Sequence, residues 1–79
     1  MSVEQQVKEV IAQTLSLTPQ EITLDGKLSE ALDVDSTEAV DLRVALEKAF
    51  AVKIDAKEIT KQSTPKDIIG VLESKKGGS

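Results

Sequence analysis

Apolar residues in the first fifteen positions recur at helical spacing: Val3, Val7, Val10, Ile11 and Leu15 stand at i, i+4, i+7, i+8 and i+12. Ser2, with Gln5 three residues on, has the pattern of a capping box, so the spacing predicts a helix over about 3–15. From Ser16 to Val34 the period fades. Ile22, Leu24, Leu28 and Leu32 are scattered among "LTPQE" and "DGK", the pattern of a long loop pinned by apolar anchors, with its tip at Asp25-Gly26. Periodicity returns over about 36–50, where Ala39, Leu42, Leu46, Ala49 and Phe50 share one arc that must face a core. Thr37, Val40 and Val44 form a second sector of this helix, bordered by Asp41 and Glu47. That sector either widens the core face or, rimmed by carboxylates, presents a docking strip.

After Phe50 the run "AVKID" alternates briefly. Asp55 with Glu58 then predicts a short third helix over about 56–61, with Ile54 and Ile59 placed as a hydrophobic staple. The last helix opens with Thr64 as cap, Pro65 at its first position and Asp67 in its first turn. It buries Ile68, Ile69 and Leu72, is weakened at Gly70, and closes at Lys75, Lys76 and Gly77. The expected fold is all-α, a small bundle of three main helices plus one short helix, with a long loop between helices one and two. A single domain over 1–76 and a flexible tail over 77–79 complete the expectation.

Composition narrows the chemistry. The 79 residues contain neither cysteine nor histidine, which removes disulfides, thiolate zinc sites, the commonest general base and the usual catalytic triads. Metal: none is expected. The net charge of −4 is concentrated, because residues 28–47 carry six acids against Arg43 alone, whereas residues 48–79 are net basic. An acidic middle argues against nucleic acid and for basic protein surfaces as partners. No apolar run approaches the ~20 residues of a membrane span, and the charged, amphipathic start is unlike a signal sequence. A cytoplasmic monomer is therefore expected.

The acidity surrounds "DVDSTE", residues 33–38. Asp35 and Glu38 stand three apart and fit a capping box, which makes Asp35 the cap and leaves Ser36 on the first helical residue. Were Ser36 the cap, Ala39 would occupy the reciprocal position and could contribute nothing there. A serine not used for capping, at a positively polarised helix end, can accept a phosphate ester, although the dipole contributes only about 0.3–1 kcal/mol. Asp33, Asp35 and Thr37 also fall at the first ligand positions of a calcium loop. That reading fails, because Glu38 replaces the turn glycine and Val44 the bidentate glutamate.

The whole order, from the first helix through "LDVDSTEAVDLRVALEKAF" and "VKI" to the final helix, resembles a discrete acyl carrier protein over essentially the full chain. In that family an Asp-Ser-Leu motif opens the second helix, and its serine carries 4′-phosphopantetheine. Asp35 and Ser36 match it here, with Leu32 upstream and Leu42, Ala45, Leu46, Glu47, Phe50 and Ile54 downstream. Three positions depart from the pattern: Thr37 replaces the usual Leu, Asp33 stands where Gly is common, and Arg43 occupies a usually aliphatic position beside Phe50 in the core arc. The stem of Arg43 is expected to cross the core edge, with its guanidinium reaching Glu47 or Asp41.

The resemblance implies a carrier rather than an enzyme. A phosphopantetheinyl transferase would move the arm from coenzyme A to Ser36, and synthases, ligases or acyltransferases with basic surfaces would process the thioester it carries. Docking is then expected at Asp35, Thr37, Glu38, Val40, Asp41, Val44 and Glu47, and an acyl pocket near Leu46, Ile54 and Ile59. The alternative is a small acidic helical adaptor that is never modified.

Overall fold

The computed structural model describes residues 2–77, with side chains through 75. Its elements are α1 (Val3–Leu15), a 3-10 turn at Pro19–Glu21, α2 (Leu28–Ala31), α3 (Ser36–Phe50) and α4 (Pro65–Gly77). Helix α1 packs against both α3 and α4. The fold is the expected all-α bundle of three main helices and one short helix. Residues 78 and 79, the end of the expected tail, lie outside the described residues.

The main helices start where their caps direct. Ser2 Oγ accepts from Gln5 N–H at 3.2 Å, and Thr64 and Asp67 exchange two bonds of 3.1 Å between side chain and backbone N–H. Pro65 follows as the first helical residue of α4. Their apolar faces meet in one core cluster that includes Val7, Ile11, Leu42, Leu46, Ile68 and Leu72, all with no exposed surface.

The short helix is not where the sequence places it. Residues 56–61 form turns, and the four-residue helix α2 lies instead at Leu28–Ala31, inside the segment expected to be loop. Both corrections have a hydrogen-bonding cause. A helix through 60 needs its N–H groups for carbonyls four residues back, yet Thr60 N–H donates to Ser63 Oγ (3.1 Å) and Gln62 N–H to Thr60 Oγ1 (3.2 Å). Asp55 N–H donates to Glu58 Oε1 and Glu58 N–H to the Asp55 backbone carbonyl, both at 2.9 Å, so the pair makes half of the expected box and closes a single turn. The Asp55 N–H, followed by Lys75 with its Nζ 3.0 Å away, holds the Glu58 carboxyl below the usual carboxylate range.

Helix α2 has no capping side chain. Its first N–H groups are satisfied across the fold: Leu28 N–H donates to Ser63 O (3.0 Å) and Ser29 N–H to Lys61 O (2.9 Å). Lys66 N–H adds a bond to Leu24 O (3.1 Å). The long first connection is thereby clamped to the segment that precedes α4.

Gly70 is the weak point of α4. It is exposed, and a Cβ built there meets no atom within 4 Å. Gly70→Ala is expected to stabilise the fold by about 0.5–1 kcal/mol through helix propensity alone. Thermal unfolding would then shift upward by several degrees in a domain of this size. A lowered midpoint would show that the glycine serves close packing.

Candidate functional site

Helix α3 begins as the spacing of Asp35 and Glu38 requires. Glu38 N–H donates to Asp35 Oδ1 at 2.8 Å, and Asp35 N–H donates to Glu38 Oε1 at 3.2 Å. Asp35 is the cap, and Ser36 is the first residue of the helix. Ser36 is exposed, and among the described residues its hydroxyl has no hydrogen-bond partner. Just before it, Asp33 adopts a left-handed backbone with φ of 58°. Asp tolerates that region better than most residues, though less well than glycine.

Ser36 opens onto a groove of about 440 Å³. One wall is the face of α3 that carries Ser36, Ala39, Val40 and Arg43. The other is the irregular segment after Ile54, through Ala56, Ile59 and the turn at Thr60, Lys61 and Gln62. Among the described residues no carboxylate lines it. Asp35 and Asp41, next in sequence to Ser36 and Val40, are exposed, and Glu38 is half-buried.

Residues 5–72 match the family described as "phosphopantetheine attachment site". The chain belongs to that family. It is 41% identical over 71 residues to an acyl carrier protein of Petrotoga mobilis, an alignment covering 90% of this chain and 84% of that protein. It is 37% identical over 71 residues to one from Thermotoga maritima, covering 90% and 88%. A Campylobacter hominis acyl carrier protein is 34% identical over 74 residues, covering 94% of each chain. The family's group is a covalently bound 4′-phosphopantetheine, and its members carry acyl groups without catalysing reactions on them. An exposed, unpartnered hydroxyl on a helix's first residue, beside a groove without carboxylates, fits a phosphodiester-linked arm.

The phosphopantetheine-attachment fold distributes the other singled-out residues unevenly. Val40 is 49% exposed, Thr37 and Asp41 are exposed, and Val44 is half-buried, so the strip is continuous but shallow on the Val44 side. Glu47 faces inward as much as outward. Its Oε2 accepts from Ile54 N–H (2.8 Å), while Oε1 lies 3.5 Å from Arg43 Nη1, which also donates to Ile54 O (3.2 Å). Arg43 thus reaches Glu47 as its position in the core arc suggests. Of the residues expected to form an acyl pocket, Ile59 lines the groove, whereas Leu46 and Ile54 belong to the closed core.

Thr60, Lys61 and Gln62 were not legible as site residues. They sit more than twenty positions from Ser36 and meet it only because the α2 amides hold their loop in place. No local spacing encodes that shared groove.

Proposed function

We propose that Ser36 carries the 4′-phosphopantetheine arm and that the protein shuttles acyl groups between biosynthetic enzymes. The observation supporting this most directly is the division of labour at the start of α3. Asp35 and Glu38 satisfy the helix end between themselves, which leaves the Ser36 hydroxyl free for esterification. The arm supplies a thiol to which acyl groups attach as thioesters. The chain's own contribution is to fix Ser36 at a rigid helix start, shield one side of it with the groove, and mark it with charge for partner enzymes. Fatty-acid, polyketide and related pathways all use such a carrier, and dependence on coenzyme A puts its work in the cytoplasm. Incubation with coenzyme A and a phosphopantetheinyl transferase is the test. The intact protein should gain the mass of one phosphopantetheine, and an unchanged mass would sink this reading in favour of an unmodified adaptor.

Partner enzymes would meet the exposed strip of Thr37 and Val40, widened by Val44 and rimmed by Asp35, Glu38 and Asp41. Glu47 is a weaker contributor, since its carboxylate already bonds Arg43 and Ile54. Exposed ion pairs contribute roughly 0.2–1 kcal/mol each and are screened by salt, so docking steers and releases rather than holds. Asp41→Lys should slow arm transfer several-fold at low salt and much less at high salt. Equal rates for both proteins at every ionic strength would remove the electrostatic part of this proposal. Acyl cargo would lie first against Ala39, Val40 and Ile59 in the groove, with Leu46 and Ile54 as a deeper extension wherever the core can part.

A further inference from the structure

The groove beside Ser36 follows α3 for two turns and stops. Ser36, Ala39, Val40 and Arg43 line it, but the next residues on that face, Leu46 and Glu47, do not. What stands at its inner end is a three-way clasp. Arg43 Nη1 donates to Ile54 O at 3.2 Å and lies 3.5 Å from Glu47 Oε1, while Glu47 Oε2 accepts from Ile54 N–H at 2.8 Å. Both backbone polar groups of Ile54 are thereby tied to α3, two residues before the groove's opposite wall begins at Ala56. Behind the clasp lie Leu46 and Ile54 themselves, almost wholly buried.

We propose that the Arg43–Glu47–Ile54 clasp is a specificity device that closes the groove against the core and restricts the carrier to short acyl groups. This inference rests on Ser36 carrying the arm. To pass the clasp, an alkyl chain must separate the wall at Ile54 from α3. That leaves both backbone polar groups of Ile54, a residue only 3% exposed, without partners, where each unmet group is costly, and it also breaks the ion pair of the partly exposed Arg43 and Glu47. The favourable term is burial of methylenes one at a time, which grows only after the clasp is already broken. A short chain gains the groove's apolar floor at no such penalty. A long one cannot begin to gain from the core until the penalty has been met. The guanidinium also blocks the space that an aliphatic residue at position 43 would leave apolar.

The test uses the arm-bearing protein loaded with butyryl, hexanoyl, octanoyl and decanoyl groups, in the unaltered chain and in Arg43→Met. Backbone amide shifts of Leu46, Ile54 and Ile59 and the rate of thioester hydrolysis are followed together. In the unaltered protein the Ile59 amide should respond to every load, while the Leu46 and Ile54 amides and the hydrolysis rate stay nearly constant with chain length. In Arg43→Met, octanoyl and decanoyl should shift Leu46 and Ile54 and slow hydrolysis by up to about fourfold per added methylene. Decanoyl moving Leu46 and Ile54 in the unaltered chain as strongly as in the variant would overturn the proposal, as would a variant indistinguishable from it. The unaltered chain alone decides the matter should Arg43→Met fold poorly, since progressive shifts at Leu46 with chain length would suffice against the clasp. Loading confirmed by mass separates this outcome from a failure of attachment, in which no arm is added at all.

Discussion

Ser36→Ala is expected to abolish attachment of phosphopantetheine while leaving the fold intact. The loss is complete because the hydroxyl oxygen becomes the ester oxygen itself, and alanine offers no nucleophile in its place. The fold survives because the helix start does not use that hydroxyl. Both capping bonds run between Asp35 and Glu38, at 2.8 and 3.2 Å, and alanine at the first helical position is a good helix former. Surface changes of this kind stay within about 0.5 kcal/mol. Intact mass after incubation with coenzyme A and the transferase reads the first effect, and thermal unfolding reads the second. A variant that still gains the arm would move the site to another hydroxyl. One that unfolds would show Ser36 to be part of the cap after all.

Leu42→Ala is the substitution expected to cost most in stability. Leu42 lies midway along α3 with no exposed surface, in the core cluster with Val7 and Ile11 of α1 and Leu72 of α4. Truncation removes its transfer free energy and leaves a cavity that helices fixed by caps at their ends cannot fully close. Losses of roughly 2–5 kcal/mol are typical of such sites. A domain this small holds only about 5–15 kcal/mol in total and sits toward the lower end, so the variant should melt more than ten degrees lower or be partly unfolded at ambient temperature. Urea unfolding quantifies it. A loss below about 1 kcal/mol would mean the interior repacks freely, and the clasp could then not hold a groove closed against it.

Much of this protein was legible before its coordinates. The three long helices follow from the apolar period and from caps at Ser2, Asp35 and Thr64, whose bonds span only three residues. Local signals of that kind need nothing else in the fold to be true. The placement of Ser36 on the first helical residue belongs with them, since it depends on Asp35 and Glu38 alone. The reach of Arg43 to Glu47 was legible for the same reason, because the two stand one helical turn apart.

The short elements were not legible, and neither was the groove. Leu28–Ala31 becomes helical because Lys61 and Ser63 supply the carbonyls its first amides need, while Thr60 and Gln62 spend their N–H groups on local hydroxyls and cannot continue a helix. The same crosslink puts Thr60, Lys61 and Gln62 on the groove wall across from Ser36, and Ile54 is bonded to α3 by both of its backbone polar groups. Sequence by itself determined the helices, their starts and the free serine, because those depend on groups within a turn or two of one another. Tertiary structure decided the shape of the space beside that serine, because a groove's walls come from distant segments whose polar groups find partners only once the chain has closed on itself.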